Sequence, residues 1–210
     1  MSLATDERNA LADALAATGP GKPTLCEGWD TGLLAAHVVI RDRRPDALPG
    51  VLIPAFAGHT DKLQHETFEA NTFDELVEKV RSGARVSPTR LPVVGDLVNF
   101  IEFAIHTEDV LRAQPKAKPR TLTDAEREGV LTRLRVMRTL GSRRAKVPIV
   151  FVTPDGTRLG PRGDTTSAVT LTGEPMDLAL YLAGRRGAAR VELSGPDEAI
   201  EKVRTAKLSI

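Results

Sequence analysis

The sequence is poor in aromatic residues, in cysteine and in net charge, and each shortage narrows the class of protein. Aromatic residues make up only 4% of its 210 residues, so the apolar core must come mainly from Leu, Val, Ile and Ala. A single cysteine excludes an intramolecular disulfide framework and is typical of a reducing compartment. With 29 Lys and Arg against 28 Asp and Glu, the chain lacks the basic excess of a nucleic-acid-binding protein.

Long apolar runs are also missing. None approaches the roughly 18–20 residues that a membrane-spanning helix needs. The N-terminal stretch MSLATDERNALADALAATGPG has acidic residues early and lacks the basic-then-apolar order of a signal peptide. We therefore expect a cytoplasmic protein with no membrane and no nucleic-acid partner, as a monomer or a homodimer. Its length suits one ordinary domain or two small ones.

The first two thirds of the sequence have the apolar spacing and the capping residues of helices. The most apolar of these predicted helices runs from about Asp96 to Ala113 and contains NFIEFAIHTEDVLRA. The signals that set the predicted helix ends are the starts Thr5 and Asp30, the capping boxes Thr72/Glu75 and Thr123/Glu126, and the stops Pro45, Gly83 and Pro115.

The pattern changes between residues 142 and 148. VPIVFVT is rich in β-formers, PDGT is a turn that joins strands, and TSAVTLTG alternates between polar and apolar residues. A helix that ends at Gly184, the strand ARVELSG and an amphipathic helix follow. We predict a mainly α fold with an α+β tail, divided into a helical domain of residues 1–145 and a small α+β domain of residues 146–210.

Polar residues recur along one face of the most apolar helix. Glu102 and His106 are four residues apart and therefore project together, while Asn99 and Asp109 lie one turn before and one turn after them. Burial of unpaired polar groups is costly, so this stripe either faces water or belongs to an internal site. The apolar flanks, which leave little of the helix for solvent, are Phe100, Ile101, Phe103, Ala104 and Ile105.

His37 places a third candidate ligand on the second helix, whose other members are mostly Ala, Val and Leu. Two imidazoles and one carboxylate leave coordination positions open, as in catalytic zinc and non-haem iron sites. Asn99 and Asp109 would orient ligands or substrate from one turn away. Arg41 follows His37 by one turn; it either reaches an anion beside the metal or belongs to a solvated helix end.

Less specific interpretations remain open for these residues. A Glu–His pair at this spacing is more often solvated, or a histidine satisfied within a core, than a metal site. The pair His65 and Glu69 has a similar spacing, but its helix is polar and should face water. Cys26 has no evident activating neighbour, and we expect it to pack beside Trp29 as a small apolar group.

The stretches PTLCEGWDTGLLAAHVVIRDRRPDALPG and NFIEFAIHTEDVLRA resemble the DinB-like family of metal-binding four-helix bundles. The resemblance is greatest to the branch that includes mycothiol-dependent maleylpyruvate isomerases, whose small C-terminal domain is similar to VTLTGEPMDLALYLAGR. It implies an up-down four-helix bundle followed by the α+β domain. It also implies a divalent metal held by His37, Glu102 and His106, the set already reached from spacing.

The same resemblance implies a reaction class. The expected function is that of a metal-dependent thiol transferase or isomerase that uses a low-molecular-weight thiol, such as mycothiol, with an electrophilic small molecule. Zinc is the expected ion, and nickel and iron accept the same ligands. Two alternatives are a metal-binding module without catalysis, and a helical interaction protein with no metal, in which Glu102 and His106 bond to His37 and its neighbours.

Overall fold

The structure is a computed structural model that describes residues 2–44, 46, 57–84, 94–161 and 165–208. Over these residues the chain forms a series of helices and then a small sheet flanked by further helices, which confirms the mainly α fold with an α+β tail. The chain divides into two compact units, Met1–Thr121 and Leu122–Ile210. None of the described helices is both long and apolar enough to cross a membrane.

The regular elements of the first unit are all helices over its described residues. Its helix α1 packs against α5 and α4, and α2 packs against α3 and α4. The four-helix up-down order stays a prediction, because residues 47–56 and 85–93, which fall in two of its connections, lie outside the described part. The helices are α1 (Leu3–Thr18), α2 (Thr31–Arg43), α3 (Ala57–Glu69), α4 (Phe73–Ser82) and α5 (Val94–Leu111). The core shared by α1, α2, α4 and α5 includes Leu11, Leu15, Leu34, Val38, Leu76, Val80, Phe103 and Val110.

Most predicted capping signals in this part of the chain are confirmed. Asp30 accepts the Leu33 N–H at 2.9 Å at the start of α2, and α4 begins with its capping box. Gly83, with φ of 63°, closes α4 in a conformation that favours glycine. The predicted start of α1 at Thr5 is wrong by two residues, because Ser2 caps the helix and accepts the Thr5 N–H.

The loop between α1 and α2 is fixed at both ends and to α5. A β-bridge joins Pro23 to Asp30, and the Thr24 hydroxyl donates to the Trp29 carbonyl at 2.7 Å. The Leu25 N–H donates to the carbonyl of Asp109 at 3.0 Å. This last bond holds the loop against the C-terminal end of α5, next to the predicted polar stripe.

The second unit combines helix α6 (Asp124–Ala145) with a four-stranded sheet of order β2-β1-β3-β4. Strands β1 and β3 are parallel, and the two outer pairs are antiparallel. The predicted PDGT turn joins β1 to β2 and has Gly156 at φ 87°. The remaining elements are β1 (Ile149–Val152), β2 (Arg158–Leu159), β3 (Val169–Thr172), α7 (Pro175–Leu182), β4 (Glu192–Ser194) and α8 (Asp197–Thr205).

The two compact units meet between Thr121 and Leu122, whereas the domain boundary at residue 145 stays a prediction from the sequence. From its sequence, α6 is predicted to be a further helix of the bundle, with its own capping box at Thr123 and Glu126. In the structure α6 packs against β1, α7 and α8. Its buried residues, among them Leu134 and Met137, therefore contribute to the core of the α+β unit.

Candidate metal centre

Helix α5 carries the polar stripe into the interior of the first unit. The flanking residues Phe100, Ile101, Phe103, Ala104 and Ile105 are all buried, so this helix has no broad solvated face here. Asn99, His106 and Asp109 are buried as well. The carboxylate of Glu102 is partly open, with 36% of its side chain exposed. The stripe thus forms an internal polar site that reaches the surface at Glu102.

His106 is held between two carboxylates through its two ring nitrogens. Its Nδ1 lies 2.9 Å from Oδ2 of Asp109, a hydrogen-bond distance in which the ring N–H donates to the carboxylate. Its Nε2 lies 3.8 Å from Oε2 of Glu102. With Nδ1 bonded to a fully buried residue, the ring orientation is fixed and Nε2 is directed at Glu102.

The surroundings of His106 favour its protonated form when no metal is present. Burial by itself lowers the pKa of this imidazole, because it disfavours the charged ring. The hydrogen bond to Asp109, the contact with Cys26 and the charges of Asp109 and Glu102 act in the opposite direction and prevail. Together they raise the pKa of His106 to about 10.

Helix α2 brings His37 and Arg41 to the same place. The His37 ring lies 5.5 Å from the His106 ring, centroid to centroid, in an edge-on arrangement, and 4.8 Å from Trp29. One turn later, the Nε of Arg41 lies 3.7 Å from Oε2 of Glu102. His106 thus adjoins both His37 and Glu102, and Glu102 in turn adjoins Arg41; that the three predicted ligands share one ion stays a prediction.

Cys26 belongs to this cluster, which sequence reasoning missed. Its thiol donates to Oδ2 of Asp109 at 3.2 Å, so one carboxylate oxygen accepts from both Cys26 and His106. Cys26 and Trp29 both pack against the core, and the Trp29 N–H donates to the Cys26 carbonyl at 3.0 Å, while the packing of the thiol against the indole stays a prediction. The signal that could have found Cys26 is its short CEGW loop, but the contact depends on the bond between Leu25 and Asp109.

Two sets of donors are candidates for a bound cation, and among the described residues only the second brings three donor atoms within 4.8 Å of one another. Ligands bonded at 2.0–2.2 Å in a tetrahedral site lie about 3.4 Å apart, and two imidazoles on one ion have ring centroids about 5 Å apart. The distances between His106 and Glu102 and between the rings of His37 and His106 come within about half an ångström of these values. The second set is Cys26, His106 and Asp109, whose donor atoms all lie within 4.8 Å of one another.

The two sets use different nitrogens of His106, so they differ in whether the hydrogen bonds to Asp109 survive metal binding. In the second set, a bound ion would take the place of the protons that join His106 and Cys26 to Asp109. In the first set, those hydrogen bonds would persist and Nε2 of His106 would be the ligand atom. A histidine ligand that donates its other N–H to a carboxylate is the usual arrangement at metal sites in proteins.

The other histidines lie at the surface. His65 and Glu69 are both exposed on α3, as predicted, and the Nδ1 of His65 contacts the carbonyl of Asp61 at 2.8 Å. His59 is half-exposed and lies 3.3 Å from Asp46. Neither adjoins a second imidazole among the ring contacts of the described residues.

The fold and the site together describe a helical unit with a buried histidine–carboxylate cluster, followed by a small α+β unit. Two crystal structures share this fold: mycothiol-dependent maleylpyruvate isomerase, with a TM-score of 0.59, and a histidine-to-alanine mutant of that isomerase, with a TM-score of 0.57. Each is 18% identical to this chain, and each match covers 91% of this chain and 90% of the isomerase chain. No protein-family model and no curated protein matches the sequence.

The likeness extends over both units, which confirms the expected resemblance to the isomerase at the level of the fold. A sequence identity of 18% supports a conclusion about the fold only. The ligands, the thiol and the reaction therefore have to be argued from the residues of this chain.

Proposed function

We propose that this chain is a DinB-like, divalent-metal-dependent enzyme of the thiol transferase or isomerase type. Its ligands are His37, Glu102 and His106, and its cosubstrate is a low-molecular-weight thiol, as the name of the structurally similar isomerase suggests. The observation that carries the proposal is the orientation of His106, which Asp109 fixes so that Nε2 faces Glu102. We assign the protein to the cytoplasm, as a monomer or a homodimer.

The first donor set is preferred because it preserves every hydrogen bond around Asp109. The second set would break two of them and place a cation where donor atoms are already 2.9 and 3.2 Å apart. A carboxylate that accepts from Nδ1 also makes the imidazole a better ligand at Nε2. Zinc fits two imidazoles and one carboxylate, and nickel or iron binds the same donors.

Each residue of the site has a distinct role in this proposal. A divalent ion bound there supplies a Lewis acid that lowers the pKa of a thiol or water at its open positions. Asp109 and Cys26 hold the His106 ring, and Trp29 supports the His37 ring from one side. Glu102 is the ligand open to solvent, so a substrate enters on its side. Asn99, buried one turn from Glu102, belongs to the shell that orients ligands.

Cobalt substitution tests the proposal directly. We expect Co²⁺ to bind the purified protein and to quench or shift the fluorescence of Trp29, the only tryptophan, because its ring lies 4.8 Å from His37. Added mercaptoethanol or mycothiol should then produce a sulfur-to-cobalt absorption band. A spectrum that no thiol changes would contradict the thiol-dependent function.

A metal-binding module without catalysis is the second candidate. It is favoured by the internal partners that the polar groups of the site already have, among them Arg41 for Glu102 and Asp109 for His106. An ion here would then mainly stabilise the helical unit by binding the folded state. A large rise in melting temperature with Zn²⁺, together with no turnover of electrophiles with any thiol, would favour this candidate.

A further inference from the structure

Arg41 is a buried cation at the edge of the proposed metal site. Only 7% of its side chain is exposed, and its guanidinium carbon lies 5.9 Å from the centre of the Phe103 ring. Arginine is seldom buried unless an anion or an aromatic face compensates its charge. Its ion-pair partner here is Glu102, at 3.7 Å from Nε. That distance is too long for a hydrogen bond, so the pairing is electrostatic only.

The guanidinium also retains an unused donor. Its Nη1 is buried and has no hydrogen-bond partner among the described residues. Leaving a buried N–H without an acceptor is unfavourable, and more so for a charged group. An arginine that served only to stabilise the helices would be expected to have this donor satisfied, as Arg43 does by donating to the carbonyl of Gly83 at 2.8 Å.

Glu102 connects this donor to the ligand set. Its Oε2 is the atom nearest both to Nε of Arg41 and to Nε2 of His106, so the three side chains form a row from cation to carboxylate to imidazole. A carboxylate that binds a divalent ion shares its negative charge with that ion. The positive charge of Arg41 would then be less fully neutralised by Glu102. Its Nη1 would still have no acceptor among the described residues.

We propose that Arg41 binds the carboxylate of a ligand whose other end, a thiol, lies at the metal site. The assignment rests on the proposed function and narrows its thiol to one that carries a carboxylate, which mercaptoethanol and mycothiol do not. The planar guanidinium presents paired N–H groups that match the two oxygens of a carboxylate. Because Arg41 and His106 flank the same Glu102 oxygen, the carboxylate and the sulfur of such a ligand should be only a few bonds apart.

Mercaptoacetate and mercaptoacetamide provide the test, because they share a skeleton and differ in the carboxylate. Both are titrated into the Co²⁺-loaded protein, and the sulfur-to-cobalt band gives each dissociation constant. The quantity compared between variants is the ratio of the two constants, because a preference that comes from the thiols themselves is the same in every variant. We expect this ratio to favour mercaptoacetate about tenfold or more in the wild type relative to Arg41→Gln, the size of a charge-assisted hydrogen bond.

Three variants isolate the contribution of Arg41. Arg41→Gln should lose the preference and still bind Co²⁺ and mercaptoacetamide, while Arg41→Lys, which keeps the charge without the planar fork, should retain part of it. Arg44→Gln is the matched control, because Arg44 lies on the same helix end but is exposed and paired with Asp46. If Arg41→Gln does not fold, the ratio of dissociation constants is compared between the wild type and Arg41→Lys.

The outcomes separate this inference from the proposed function. An equal ratio in the wild type, Arg41→Gln and Arg41→Lys would overturn the role of Arg41 and leave the metal and thiol assignment intact. A wild-type protein that binds no Co²⁺ would overturn both. A loss of preference in Arg44→Gln equal to that in Arg41→Gln would also contradict the assignment, because it would indicate a general effect of surface charge.

Discussion

Oδ2 of Asp109 lies 2.9 Å from Nδ1 of His106, and both side chains are buried on the same face of α5. This contact determines which nitrogen of the imidazole is available to a ligand. Because Nδ1 is occupied, Nε2 is the nitrogen that faces Glu102, at 3.8 Å from its Oε2. The proposed metal site therefore depends on a residue that does not itself bind the ion.

Substituting Asp109 by Asn should weaken metal binding without removing a ligand. The amide is nearly the same size but is a neutral and weaker acceptor, so the His106 ring is less well oriented and less basic. We expect Zn²⁺ affinity to fall about 10- to 100-fold, measured by competition with a chromophoric chelator. Asp61→Asn, an exposed position on α3, should leave the affinity unchanged. Equal affinities in both variants would contradict the role of Asp109.

Metal binding should release a proton at neutral pH. The pKa of His106 in the metal-free protein is about 10, so its ring is protonated at pH 7 and has to lose a proton to bind an ion. Titration calorimetry in two buffers with different ionisation enthalpies measures this release. We expect about one proton per ion, and an apparent affinity that rises with pH toward 10. Uptake without proton release would mean that His106 is not a ligand.

The stability of the metal-free protein should also depend on this proton. The folded-state pKa of His106 lies above the ordinary value of 6.5, so its stabilising contribution is complete below about pH 6.5 and disappears as the pH rises through about 10. Compared with His106→Gln under chelating conditions, the wild type should lose part of its advantage in melting temperature over that range. A difference that stays constant from pH 6 to pH 10 would contradict the assigned shift.

Cys26 distinguishes the two donor sets. If His37, Glu102 and His106 bind the ion, Co²⁺-loaded protein without added thiol should have no sulfur-to-cobalt band. Cys26→Ser, which keeps a hydroxyl donor toward Asp109, should then bind Co²⁺ nearly as well as the wild type. A band that is present without thiol and vanishes in Cys26→Ser would instead indicate the set of Cys26, His106 and Asp109.

The spacing of residues on α5 predicted that Glu102, His106 and Asp109 share a face, because helix geometry is local. The capping residues of α2, α4 and α6 were predictable for the same reason. Cys26 was not, because its contact with Asp109 requires a loop distant in sequence to be held against α5 by the Leu25 backbone bond. The membership of α6 in the second unit also depends on tertiary packing that its own pattern does not reveal.

A buried ion network at the end of α5 was equally unforeseen, and its loss should be costly. Glu108 accepts hydrogen bonds from Arg112 and from Arg120, whose guanidinium also contacts Glu7. Glu108→Ala leaves two arginines without this partner, so we expect the free energy of unfolding to fall by about 3–5 kcal/mol. Urea denaturation measures the change. Glu128→Ala, at an exposed position on α6, should change it by less than about 1 kcal/mol.

The most direct test of whether His37 helps to hold a metal ion is the metal content of protein purified without chelator. This content is compared between the wild type and His37→Ala. His65→Ala, which removes an exposed histidine near a glutamate, is the matched control. We predict about one equivalent of a divalent transition metal in the wild type and in His65→Ala, and a background amount in His37→Ala. Equal metal contents in the wild type and His37→Ala would contradict this prediction.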